Sequence, residues 1–180
     1  MSLPIVSRVR ARWWLAGVVL LAMWGPEANA QVNTLMARTT ADRSTTSTSF
    51  VNVPDLSWYV AANASYAFEC RIAYTTTTFF GIPEMFLSVN GPASPTAVQF
   101  SVFEGITSTT LQAWTGNAYD TPTSPHNGGG AGTTAQPVVM RGTFENGATG
   151  GTLSLRFLTT NVFLASVTIL RGSFCIVARQ

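Results

Sequence analysis

The feature that most constrains this chain is a nine-residue alternation running from Tyr66 to Tyr74. Tyr66, Phe68, Cys70, Ile72 and Tyr74 share one parity, and Ala67, Glu69, Arg71 and Ala73 share the other. A period of two fits a β-strand with one buried and one wet face; a helix would need its apolar residues to recur roughly every 3.6 positions. The pattern turns Cys70 inward and leaves Glu69 and Arg71 outside, where they can pair weakly.

Shorter runs of the same kind follow one another along the chain. Strands are predicted over residues 49–53, 56–61, 85–89, 97–103, 109–114, 138–144, 152–159, 165–170 and 173–178. Turn formers separate them: Asn90-Gly91-Pro92, Glu104-Gly105, Gly116-Asn117 and the glycine-rich run from Glu145 to Gly151. Asn146-Gly147 between two β-rich runs is a hairpin cue. No segment beyond the first thirty residues sustains a helical stripe for three turns. About eight to ten short strands in one unit over residues 49–180 predict an all-β antiparallel sandwich, jelly-roll-like in topology. Residues 31–48, rich in Thr, Ser and Arg, are expected to be a flexible, extended or disordered arm. A long Gly/Thr/Pro-rich loop over residues 115–136 is expected to be either functional or disordered.

Residues 1–30 have the order of a secretory signal peptide. Arg8, Arg10 and Arg12 precede an apolar run from Trp13 to Trp24, then Gly25-Pro26 and the small-residue site Ala28-Asn29-Ala30, with cleavage expected before Gln31. The apolar run of twelve residues is short of the roughly 20 that a spanning helix needs, so a retained anchor is the lesser alternative. The expected destination is outside the cell, at the cell surface or in a periplasm, with membrane contact only through the leader during export. In such a compartment Cys70 and Cys175 are expected to form a disulfide, two separately buried thiols being the alternative.

Removing the leader also resets the charge. The remaining chain carries seven arginines, seven acids and no lysine, a net charge of zero. No basic patch is left to steer nucleic acid. Little repulsion opposes self-contact, so a homo-oligomer or a docked structural partner is expected.

The chemistry is thin. Without lysine there is neither a P-loop nor a Schiff base, and Gly128 to Thr134 reads as a loop tip. The single histidine, His126, lies in the long loop, where a triad with Asp120 would lack rigid support. No dense set of metal ligands occurs, and no cofactor is expected. Glu69, Glu84, Glu104 and Glu145 could supply the carboxylate pair of a secreted hydrolase, but Glu69 reads as outward-facing and the others as turn-flanking surface acids. Trp114, Tyr119 and Asp120 at the long loop are the candidate ligand-binding residues. A flat aromatic with polar neighbours is how sugar rings are held, which makes a carbohydrate-binding module with a glycan partner an alternative to Trp114 plugging the sandwich.

From Leu56 onward the residues carry a resemblance. Leu56 to Ala62, Tyr66-Ala67-Phe68, Tyr74 with Thr76-Thr77-Thr78, and Gly81-Ile82 are followed by Gly91-Pro92, Arg141 to Phe144, Gly151 to Phe157, Ser166-Val167-Thr168 and Gly172-Ser173. Together they resemble a β-domain of tailed-phage tail-fibre or minor virion structural proteins and their prophage-derived bacterial relatives. The resemblance implies a non-enzymatic structural or attachment domain, often oligomeric, and defines no catalytic residue. The leader and the cysteine pair depart from a virion protein and point to an exported bacterial relative.

Overall fold

A computed structural model describes residues 33–77, 84–105, 111–123, 134–160 and 165–180, and within them every regular element is a β-strand. The proposed leader and residues 124–133 of the long loop, His126 among them, lie outside the described residues. Eleven strands are present: β1 (Thr34–Arg38), β2 (Arg43–Thr45), β3 (Val51–Val60), β4 (Ser65–Thr77), β5 (Met85–Asn90), β6 (Ala97–Gly105), β7 (Leu111–Gly116), β8 (Gln136–Glu145), β9 (Gly151–Thr159), β10 (Ser166–Ile169) and β11 (Phe174–Arg179).

They build two antiparallel sheets. The large sheet runs β1-β11-β4-β8-β6-β7, with β10 filling the edge of β4 beyond β11 and β2 pairing β10; the small sheet runs β3-β9-β5. A jelly roll nests four strand pairs inside one another. Here β1 and β2 pair β11 and β10, β3 pairs β9, and β4 pairs β8, which are the three outer pairs. The innermost pair is rearranged, because β6 leaves β5 and takes the free edge of β8 instead. The predicted antiparallel, jelly-roll-like sandwich is therefore the observed class.

The alternation that begins at Tyr66 governs the core. Tyr66, Phe68, Cys70, Ile72 and Tyr74 are all at most 5% exposed, and the same parity on β6 and β8 adds Val98, Phe100, Val102, Val138, Met140 and Phe144. The small sheet answers with Trp58, Leu87, Leu153, Leu155 and Phe157. Trp58 and Phe68 meet across the two sheets, ring centroids 6.0 Å apart. Gly142 lies in register between Phe68 and Phe100, and a Cβ there would come within 2.6 Å of the Phe68 ring, so only glycine lets both rings close over β8.

Two expectations are corrected. Residues 33–48, the described part of the expected arm over 31–48, do not stand off, since 34–38 and 43–45 are β1 and β2. Both strands are short, β1 is mostly exposed and β2 is polar, which conceals their backbone pairing to β11 and β10; the link between them is anchored by the buried Thr39, whose N–H and hydroxyl both reach the Ser173 carbonyl. Asn146-Gly147 does not turn a hairpin, because β8 and β9 belong to different sheets. Asn146 is buried and gives its side-chain amide to the Ala61 and Thr149 carbonyls, so the segment crosses between sheets.

Cys70 and Cys175 face each other in register on β4 and β11 and are bonded, with both sulfurs in the core. The bond closes a loop spanning 105 residues. Replacing both cysteines by alanine is expected to lower unfolding free energy by about 2–5 kcal/mol, read as a reduced urea midpoint with a steeper slope, because the unbridged unfolded chain exposes more surface.

Asp55 ties the N-terminal strands to β3. Its carboxylate accepts from the Thr40 N–H and hydroxyl and from Arg43 at 2.6 Å. The Thr40 N–H first, then Arg43, hold its pKa down at about 2. Because the folded value lies below the unfolded value of about 3.9, this stabilisation is full above pH 4 and is lost as pH falls toward 2. Asp55→Asn is expected to flatten the fall in stability over that window, measured by urea unfolding at stepped pH.

Candidate functional site

The outward parity of the large sheet forms one continuous face. One row crosses six strands in register: Met36, Ile176, Glu69, Arg141, Ser101 and Thr115. The next row holds Arg38, Phe174, Arg71, Val139, Phe103 and Ala113. Met36 is 64% and Ile176 41% exposed, so apolar side chains stand in solvent beside the charged ones. The sheet bows here into an open groove of about 860 Å³ whose floor includes Ala67, Ser101, Phe103, Thr143 and Ala178.

Charge at the centre of this face is held in ion pairs. Glu69 accepts from Arg71 Nε and Arg141 Nε, both at 2.9 Å. Arg71, then the Arg141 charge, hold the Glu69 carboxyl below the usual carboxylate range, partly offset by desolvation. The expected outward pairing of Glu69 and Arg71 is observed, with Arg141 as an added partner from β8. Such exposed pairs contribute about 0–1 kcal/mol each. Glu69 and Arg141 offset each other in the groove lining, and Arg71 beside them leaves the cluster with one net positive charge.

The hydrolase candidates separate across the sheet. Glu69 is on the outer face, whereas Glu104 is 2% exposed and lies inside. The reading of Glu104 as a turn-flanking surface acid is corrected: it continues the inward parity of Val98, Phe100 and Val102, a signal already present in the sequence. Tyr74 donates its hydroxyl to Glu104 at 2.6 Å, and burial, followed by the carboxylate, raises the tyrosine pKa. Two carboxylates on opposite faces of one sheet cannot flank a single glycosidic bond.

The three ligand-binding candidates are put to different uses. Trp114 is half-buried on β7, opposite Val102. Tyr119 stacks on Phe144 at 6.2 Å between centroids and donates its hydroxyl to the Pro92 carbonyl at 3.1 Å, and burial raises its pKa to about 12. It is a packing residue rather than a free platform. Asp120, at a positive φ of 54°, accepts from Asn90 at 2.6 Å and pairs with Arg156. Arg156 also donates to the Phe50 carbonyl and lies over the Phe50 ring. This cluster clamps residues 120–123 along β5, where Leu87 and Thr123 exchange backbone bonds. The sequence displayed the residue types but not that Tyr119 and the Oδ2 atom of Asp120 are engaged within the fold. Among the described residues, no group of three or more His, Cys, Asp or Glu is placed to hold a metal.

The sequence matches no family model and no curated protein. Among solved structures, the chain is similar to the structure of infectious bursal disease virus Gt strain, with 9% identity over 83% of this chain and 42% of that one, TM-score 0.24. It is similar at the same coverage of this chain to the infectious bursal disease virus VP2 subviral particle, with 12% identity, 40% of that chain and TM-score 0.20. The chain thus spans about two fifths of the length of these structures. TM-scores this low carry no functional implication.

Tyr74→Phe removes a hydroxyl donor from the buried Glu104 carboxylate while keeping the ring. It is expected to cost about 1–3 kcal/mol, and Tyr74→Phe with Glu104→Gln less than the two single costs added, in a double-mutant cycle read by urea unfolding.

Proposed function

We propose that this protein is an exported, non-enzymatic structural or attachment domain that assembles with copies of itself. The observation that carries the reading is the outer face of the large sheet, where Met36 and Ile176 stand exposed on the same face as a shallow groove whose charged lining residues, Glu69 and Arg141, pair with each other. A face of that kind offers contact area without electrostatic repulsion. The Cys70–Cys175 disulfide fits an oxidising compartment, and the leader-like residues 1–30 supply a route to one. The separation of Glu69 and Glu104 onto opposite faces supports a scaffold over a hydrolase.

Expression of the full-length gene in a secreting host tests both parts. The expected product begins at Gln31 by intact mass, carries no free thiol, and elutes as a multiple of the monomer mass in size-exclusion chromatography with light scattering. A retained leader would overturn the export reading. A monomer at every concentration would overturn the assembly reading.

A further inference from the structure

Sheet edges expose unpaired backbone groups, and natural proteins shield them with short length, proline, charge, bulges or a covering segment. Five strands end the two sheets here, and four carry such devices, β2 through its three-residue length and Arg43. β3 contains Pro54, breaks register between Asn52 and Ser57, and presents Asp55 bound to Thr40 and Arg43. β5 is covered by residues 120–123, which bond Val89 and Leu87 through the backbone. β1 is five residues long and closes on Arg38. Among the described residues, β7 has none of these features. Its six residues, Leu-Gln-Ala-Trp-Thr-Gly, hold neither charge nor proline, and beyond β6 its edge meets no strand among the described residues. Leu111, at its start, is 69% exposed.

We infer that β7 is the assembly edge, pairing antiparallel with β7 of a second copy so that the large sheet continues from one protomer into the next. This deepens the self-association proposed above and rests on it. The occupant is a second copy because a two-fold contact sets the same uncharged strand against itself, satisfying both edges alike and opposing no like charges. The chain after residue 30 has zero net charge, so no overall repulsion resists the approach. Strand addition of this kind draws its affinity from main-chain hydrogen bonds. Thr115, Gly116 and Asn117 also rim the outer groove, so the contact would bring two grooves together along the shared edge.

The test places lysine, a natural edge blocker, at two exposed positions of β7: Ala113→Lys with Thr115→Lys. The expected result is a wild-type assembly of even copy number and a folded, monomeric double variant with its disulfide intact. Tyr59→Lys, at a 65% exposed position on β3, is expected to leave the wild-type mass unchanged. An assembly that survives the double substitution overturns edge pairing while sparing self-association. A wild type that never assembles overturns both. Should the double variant fail to fold, hydrogen exchange on the wild type decides. Amides 111–116 are expected to slow by about tenfold or more as concentration rises through assembly, and exchange that ignores concentration overturns the inference.

Discussion

The register of β4 is the constraint on which the rest of this structure depends. Its thirteen residues bond β8 along one edge, and β11 then β10 along the other. Side chains alternate strictly, so a slip of one residue would turn Phe68, Ile72 and Tyr74 to solvent and Glu69 and Arg71 into the core. It would also part Cys70 from Cys175 and Tyr74 from Glu104. The hydrophobic pattern, the covalent bond and the buried hydroxyl–carboxylate contact all demand the same alignment. Agreement across such different interactions is what makes one register win by a wide margin.

Much of this was legible in the residues themselves. The nine-residue alternation located β4 and oriented Cys70, and most other strands fall within a few residues of where turn formers and β-branched runs placed them. What escaped was partnership. Whether β9 continues the sheet of β8 or crosses to the other depends on which surface Leu153 and Leu155 meet, and that is a property of distant chain. The same holds for β1 and β2, whose threonines, serines and arginines give no hint that their backbones complete a sheet. Glu104 differs, because its parity with Val98, Phe100 and Val102 was readable; a charged residue beside a glycine simply looks like a turn. Tyr119 and Asp120 had the composition of a binding site, but Phe144, Pro92, Asn90 and Arg156 use their capacity for contact internally.

The ion pairs follow a spatial logic of their own. Asp55 with Arg43 fastens the N-terminal strands across β3, and Asp120 with Arg156 fastens residues 120–123 along β5. The first links strands of the two sheets, and the second links an irregular segment to β9. Pairs this exposed contribute little energy, so their effect lies in choosing among arrangements of the covering segments.

The strand pairing also orders events in time. β1 and β2 are made first and their partners β11 and β10 last, and Cys70 waits through 105 residues for Cys175. A nascent chain emerging from its N-terminus therefore cannot close the large sheet piecemeal; β4 must remain half-paired until β10 and β11 arrive along its second edge. Contacts of such long sequence separation make folding slow and leave strand edges open meanwhile. The covalent bond can then form only on a nearly complete fold, which makes it a lock applied after assembly of the sheet rather than a guide to it.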